Sequence, residues 1–368
     1  MQLIEACEFI VDCPHTTAKD EGYGFPLVRT PNIGRGRLHF DNVHRVSESV
    51  YNARNKRAIP QTDDLIFARE APVGNVAIIR PDQKVCLGQR TVLIRPNKAI
   101  VDPSFLVYYL LSPIIQHALL NSANGATVSH LNMSDIRNLE IKLPSLDQQR
   151  KIGAILSLID ERIIINESIN QNLLQQVTAF FHDYFDEYEF SPEDTMLLGD
   201  VARFKYGTMP KKDKLGSGEY VAFSGYQVVG SYPEKMFSDP QLIVVARGVG
   251  GCGDIKYTPA DCYLTNLSIA ILTSSIAMED YLFNYLRLHD TKVMNTGSAQ
   301  PQITVSTLEK YQLPIPPLDR LQSFSALVQP YKSMYRKNKD ENERLQMLRD
   351  TLLPRLMSGE LDVSEIDL

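Results

Sequence analysis

The chain has 368 residues, 43% of them apolar and 22% charged, with a net charge of −6; this length exceeds what one hydrophobic core usually serves, so two or more domains are expected. Five cysteines, an odd count without a CxxC pair, argue against a disulfide framework and point to a reducing compartment. The start MQLIEACEFIVDCPH lacks the basic and long apolar stretches of a signal peptide, and no run approaches the roughly 20 apolar residues that span a bilayer, so a cytoplasmic protein with no membrane partner is expected.

The acidic total hides an uneven distribution. Residues 29–98 hold 13 Lys/Arg against 6 Asp/Glu, whereas residues 163–202 hold no Lys or Arg and 8 Asp/Glu. The first stretch can meet an anionic partner despite the overall charge. Within residues 1–142, short β-branched runs (LIFAR, NVAII, TVLI) alternate with Gly/Pro turns, and DPSFLVYYLLS (102–112) has the pattern of a packed helix. Strands with one or two helices predict an α+β unit.

From LPSLD (143–147) the chain runs almost forty residues without another proline. Its apolar positions repeat every seven residues: Ile152, Ile159, Asn166, Leu173, Phe180 in one series and Leu156, Ile163, Asn170, Val177, Tyr184 in the other. Strict sevens make a coiled-coil seam rather than the wider stripe of a helix lying on a sheet. An acidic linker (187–196) follows, then a second globular stretch (197–312) with the runs LIVVAR and LSIAIL and the helical patch EDYLFNYLRL.

The second stretch repeats the first. DDLIFAREAPVGNVAII (63–79) resembles PQLIVVARGVGGCGDIKY (240–257), so Arg69 and Arg247 are expected at equivalent strand ends. NGATVSHLNMSDIRNLEIKLPSLD (124–147) resembles TGSAQPQITVSTLEKYQLPIPPLD (296–319), and the offset of 172 holds through the helix that follows. There the seam reads Phe324, Tyr331, Asn338, Leu345, Leu352 and Val328, Tyr335, Asn342, Arg349, Leu356. The asparagines recur at the same heptad steps. If the helices run antiparallel about their centres, Asn166, Asn170, Asn338 and Asn342 meet near the crossing and fix register by pairing; otherwise they are partly exposed polar positions. Each helix of about 40 residues is roughly 60 Å long at 1.5 Å per residue.

The sequence carries no complete catalytic motif. GVGGCG (248–253) matches the letters of a dinucleotide loop, but DIKYTPADC follows where a helix should open, so a tight hairpin turn is the better reading. Asp254 and Lys256 imitate part of a metal-dependent nuclease site, yet the first copy has no counterpart, which favours plain surface charge. The seven histidines form no ligand-spaced cluster, and there is no GxSxG, P-loop or Asn-Pro-Pro-Tyr/Phe methyltransferase loop. No catalytic residue, metal or cofactor is expected.

The order of motifs is more specific than any of them. VDCPHTT (11–17), LGDVARFKYGTMPKK (198–212), FSGYQVVGSY (223–232), TGSAQPQIT (296–304), LPIPPLD (313–319) and LRDTLLPRLMSGEL (348–361), set around two long heptad helices, resemble the DNA-specificity subunit of Type I restriction-modification enzymes over essentially the whole chain. The resemblance implies an α+β architecture with an internal pseudo-two-fold repeat: target-recognition domains at 1–142 and 197–312, separated by two long antiparallel coiled-coil helices within 143–186 and 313–360. It implies that each domain reads one half of a bipartite double-stranded DNA target. The helices would set the spacing and dock two modification (methyltransferase) subunits, with restriction subunits in the full complex and all chemistry in those partners. Ser145 in place of Pro317, and DRLQ (319–322) at the second helix start, depart from the family pattern. The alternative from the residues alone is a scaffold whose globular parts bind other proteins.

Cations can hold phosphates, and Arg, Asn and Gln can read base edges. The candidates in the first module are His15, Lys19, Arg29, Arg35, Arg37, Arg69, Gln89 and Arg90; in the second they are Lys211, Lys212, Ser224, Tyr226, Gln227, Arg247 and Asn266. The loops NGATVSH (124–130) and TGSAQPQ (296–302) could present backbone N–H groups to phosphate or be simple connections.

Overall fold

The computed structural model describes residues 1–123, 130–248, 251–296 and 301–366. The chain divides into two compact units, residues 1–167 with 338–368 and residues 168–337.

In the first unit the elements run β1 (Cys7–Asp12), β2 (Phe25–Val28), β3 (His44–Val46), α1 (Glu48–Arg54), β4 (Leu65–Ala68), β5 (Val76–Ile78), β6 (Cys86–Leu87), β7 (Thr91–Pro96), α2 (Pro103–Leu111), α3 (Pro113–Ser122) and α4 (Met133–Arg137), then the first half of α5 (Leu146–Phe185). One sheet has the order β1-β7-β4-β5, all antiparallel, and a smaller one has β3-β2-β6 with β2 parallel to β6. All four residues of β4 are buried, which accounts for its unbroken apolar run. Asp102 caps α2 by accepting from the Phe105 amide, ahead of Pro103 in the first turn. Leu353, Leu356 and Val363 join Leu3, Ile94 and Leu156 in one core, so residues beyond the second long helix complete the first unit.

The second unit carries β8 (Thr195–Leu197), α6 (Leu198–Val201), β9 (Ala202–Tyr206), β10 (Tyr220–Phe223), β11 (Val228–Tyr232), β12 (Leu242–Val245), β13 (Ile255–Tyr257), β14 (Cys262–Leu264), β15 (Ser268–Thr273), α7 (Ile276–Leu288), α8 (Val305–Glu309), β16 (Gln312–Pro314) and the first half of α9 (Leu318–Met357). Its two larger sheets, β9-β15-β12-β13 and β11-β10-β14, repeat the first unit strand for strand, including the one parallel pair, and β8 pairs with β16 in a further two-stranded sheet. The repeat therefore holds in backbone pairing as well as in sequence.

The long helices are antiparallel partners in each unit. In the first, Arg162 meets Glu341 at 2.9 Å and Asn166 meets Asn342 at 2.8 Å; in the second, the rings of Phe180 and Tyr331 lie edge to face at 5.3 Å. The heptad positions face inward: Leu156, Ile163, Phe324 and Val328 are at most 2% exposed. Helix α9 is continuous through Pro330 and Pro354. Among the described residues no single helix is long and apolar enough to cross a membrane.

Candidate nucleic-acid interface

In the first module a polar cluster forms where the end of β1, the turn before β7 and the end of β4 meet. Asp12 is its hub. Its Oδ2 accepts from Arg69 Nη1 at 2.9 Å and lies 3.1 Å from His15 Nε2. Arg69 also donates through Nε to the Leu131 carbonyl, at 2.8 Å. Gln89 donates to the His15 carbonyl at 2.8 Å and accepts from Thr17 Oγ1 at 3.1 Å. Arg90, held at φ +65°, pairs with Glu70 at 2.9 Å and leaves 60% of its side chain exposed. The Arg29 stem lies against Gly88, where any Cβ would overlap it. Lys19 is exposed and forms no ion pair with the described residues.

Two cations absent from the candidates shape this surface. The buried Arg54 donates to the carbonyls of Leu87 (2.6 Å), Thr16 (2.9 Å) and Pro14 (3.3 Å), and Arg57 donates to the Asp12 carbonyl at 3.0 Å. They stand in a basic stretch, the one local signal they give. Nothing in that stretch says that their partners are carbonyls more than 30 positions away.

Arg35 and Arg37 belong to a different surface. Arg35 donates to the Leu111 carbonyl at 3.1 Å, and Arg37 grips Glu167 of α5 through both nitrogens at 2.6 and 2.8 Å. That carboxylate holds the Arg37 guanidinium above its usual pKa, and burial with the Arg37 charge lowers the neighbouring His39.

In the second module Lys211 and Lys212 are exposed in the loop after β9. Ser224 is buried and closes the β10–β11 turn: its Oγ donates to the Gln227 carbonyl at 2.9 Å and accepts from the Gln227 amide at 3.1 Å. Gln227 is exposed and Asn266 half-buried at the turn before β15. The Tyr226 hydroxyl donates to the Arg247 carbonyl at 2.8 Å, and its ring covers Gly248 and Gly251, where a Cβ would strike it. The glycines after β12 thus admit a side chain of the same protein. With β12 and β13 paired antiparallel on either side, Gly248, Gly251, Cys252 and Gly253 of the GVGGCG segment lie between two strands and open no helix, while Val249 and Gly250 lie outside the described residues. Asp254 and Lys256 pair with each other at 3.1 Å, and the described residues contain no group of three His, Cys, Asp or Glu able to hold a metal ion.

Strand register corrects one sequence equivalence. Phe67 pairs with Val92 on the central strand, and Val244 pairs with Ile269. Counting on by two, Arg69 corresponds to Ala246, and Arg247 to Glu70. The bridges Glu70–His130 and Arg247–Gln302 give the same alignment. LIVVAR carries one residue more than LIFAR before its Ala-Arg, and a shift of one reverses the face of a strand residue. Arg69 accordingly sits inside its cluster, while Arg247 is exposed without an ion pair among the described residues.

The four seam asparagines are all buried. Asn166 Nδ2 donates to Asn342 Oδ1 (2.8 Å) and Glu341 Oε2 (3.0 Å), Asn342 Nδ2 donates to the Ile163 carbonyl (3.3 Å), and Asn170 Nδ2 to the Tyr335 carbonyl (3.4 Å). Arg162 and Asn166 lower the Glu341 carboxyl. Residues 124–129 and 297–300 of the two candidate loops lie outside the described residues.

The family model for the Type I restriction modification DNA specificity domain matches twice, at residues 10–175 and 192–345. The chain is 25% identical over 361 residues to the Type I restriction enzyme MjaIX specificity subunit of Methanocaldococcus jannaschii, covering 87% of this chain and 82% of that one. It is 24% identical over 377 residues to the putative MjaX specificity subunit of the same organism, covering 92% and 88%. A crystal structure of a Type I restriction-modification S subunit from M. genitalium shares the fold, with a TM-score of 0.61 at 17% identity over 97% of this chain and 95% of that one. With most of its length covered by the two matches, and with one sheet topology built twice beside a pair of heptad helices, the chain belongs to the Type I restriction-modification DNA specificity family.

Proposed function

We propose that residues 1–142 and 197–312 each read one half of a bipartite duplex target. The long helices within 143–186 and 313–360, joined by the linker 187–196, hold the two readers at a fixed gap. The repeated helix starts dock two modification subunits. Restriction subunits complete the assembly, which works in the cytoplasm, and the partners carry out methyl transfer and cleavage.

The observation that carries this reading is the duplication of one mixed sheet pair, with polar side chains gathered at matching turns in both copies. A single reader needs no second copy. Duplex DNA repeats about every 34 Å, so two major-groove readers on one face need a spacer of at least one turn, and helices of roughly 60 Å are long and stiff enough. Lys19, Arg90, Lys211 and Lys212 are assigned to phosphates. Gln89, Gln227, Arg247 and Asn266 are assigned to base edges, where two-donor groups discriminate. Arg69, His15 and Arg29 support the first surface, and Ser224 and Tyr226 the second.

The test is a salt-controlled selection of random duplex DNA by the full chain, with and without its methyltransferase partner. Two short fixed blocks separated by a gap of constant length are expected. Failure to enrich any sequence with the partner present would overturn the reading.

A further inference from the structure

Each module is fastened to its own long helix by polar contacts centred on a buried acid, Asp160 or Asp280, and the two fastenings have opposite polarity. In the first unit the module presents hydrogen-bond donors and the helix presents acids. The Tyr108 hydroxyl donates to Asp160 Oδ2 at 2.7 Å with Ser157 beside it. Arg37 grips Glu167, and Arg80 meets Glu161 at 3.2 Å. Arg349, from the partner helix, closes on the other oxygen of Asp160 at 2.8 Å.

In the second unit the module presents the acid. Asp280 of α7 has no exposed surface and accepts from Ser325 Oγ and Gln329 Nε2, each at 2.6 Å, and from the Lys332 ammonium, all on α9. Lys332 is also 3.6 Å from Glu279 and 3.1 Å from the Tyr257 hydroxyl.

The offset of 172 that holds along the long helices maps Ser157 onto Gln329 and Asp160 onto Lys332. It holds in the packed helix as well, where Tyr109 meets the Lys142 amide as Tyr281 meets the Pro314 carbonyl, so Tyr108 maps onto Asp280. The same three positions make the contact in both copies, and the sign of the charge on the helix is reversed. Two unrelated surface ion pairs would not share positions across a repeat.

We propose that these are position keys: Asp280–Lys332 and Tyr108–Asp160–Arg349 fix the angle of each recognition module on its helix, and thereby the length of the gap between half-sites. This rests on the two-reader function proposed above. The opposite polarity makes each module specific for its own helix. Moving the second module onto the first helix would set Asp280 against Asp160, two buried acids sharing the one cation Arg349. Sheet topology alone would allow the exchange.

The experiment compares the wild-type chain, Lys332→Asp, and the reversal Asp280→Lys/Lys332→Asp in the same selection with the methyltransferase partner, alongside thermal unfolding of each. The wild-type arm tests the two-reader function by itself: no paired blocks there sinks that reading. Given paired blocks, Lys332→Asp is expected to enrich the same blocks, with its preference for a single gap length reduced about tenfold, the scale of a coupling between groups in contact. The reversal is expected to restore both the single gap and the melting temperature. A folded Lys332→Asp chain that keeps a single gap, or a reversal that fails to rescue, overturns the proposal. Should Lys332→Asp not fold, Asp280→Asn replaces it. That change removes the acid while keeping an oxygen for Ser325 and Gln329, and a single unchanged gap in it counts against the key in the same way.

Discussion

At the scale of single residues, the seam asparagines show that burial and stability are separate matters. Asn166 donates twice, yet its own carbonyl oxygen is buried with no hydrogen-bond partner among the described residues. A polar group in that condition costs stability and is retained for what it specifies. Asn166→Ala leaves Asn342 Oδ1 without its donor and is expected to cost about 1–3 kcal/mol in urea unfolding. Asn166→Leu/Asn342→Leu is expected to regain that loss while relaxing the alignment of the helices, read as a broader distribution of gaps. The cations divide in the same way. Arg90→Ala is expected to reduce the salt dependence of DNA binding by about one phosphate contact. Arg37→Ala, which removes a partly exposed grip on Glu167, is expected to leave that dependence unchanged and lower the melting temperature. Titrations of both variants between low and moderate salt decide this. Cys86 adds a pH effect: burial pushes its thiol up to about 11. The folded chain keeps the thiol proton that the unfolded chain releases from about pH 9, so this contribution is full below that point and is lost as the pH rises toward 11. Unfolding midpoints should fall across that window, and less steeply in Cys86→Ala.

At the scale of elements, periodicity and packing carry unequal information. The long helices Leu146–Phe185 and Leu318–Met357 were legible because a seven-residue repeat is a property of the local chain. Proline inside α9 does not end it, since the inward seam on either side holds the helix together. Strand register was less legible. The runs ending in Ala-Arg look equivalent as letters, but one extra residue in the second places Arg247 at the position of Glu70, on the opposite face from Arg69. Which side chains share a surface depends on which residue lies across the sheet, and sequence spacing does not record that. The same gap hid Arg54 and Arg57, whose partners are distant carbonyls.

At the scale of the whole molecule, the last residues complete the first unit: Val363 is 2% exposed, and the Ser364 carbonyl accepts from Lys151 Nζ at 2.7 Å. Deleting residues 360–368 is expected to uncover Leu356 and remove Val363 from the core. The cost is about 1.5–3 kcal/mol for each apolar side chain lost from it, seen as an earlier unfolding transition. The sequence by itself determined the duplication, the two heptad helices, the α+β modules and the resemblance to the Type I specificity family, because these rest on composition, period and motif order along the chain. The tertiary structure alone decided that Arg35 and Arg37 face the first module's own helices, that Arg69 is tied to Asp12, and that the two modules meet their helices with opposite charge. Each of these depends on which residues distant in the chain are brought within hydrogen-bonding distance, and the linear order of residues does not state that.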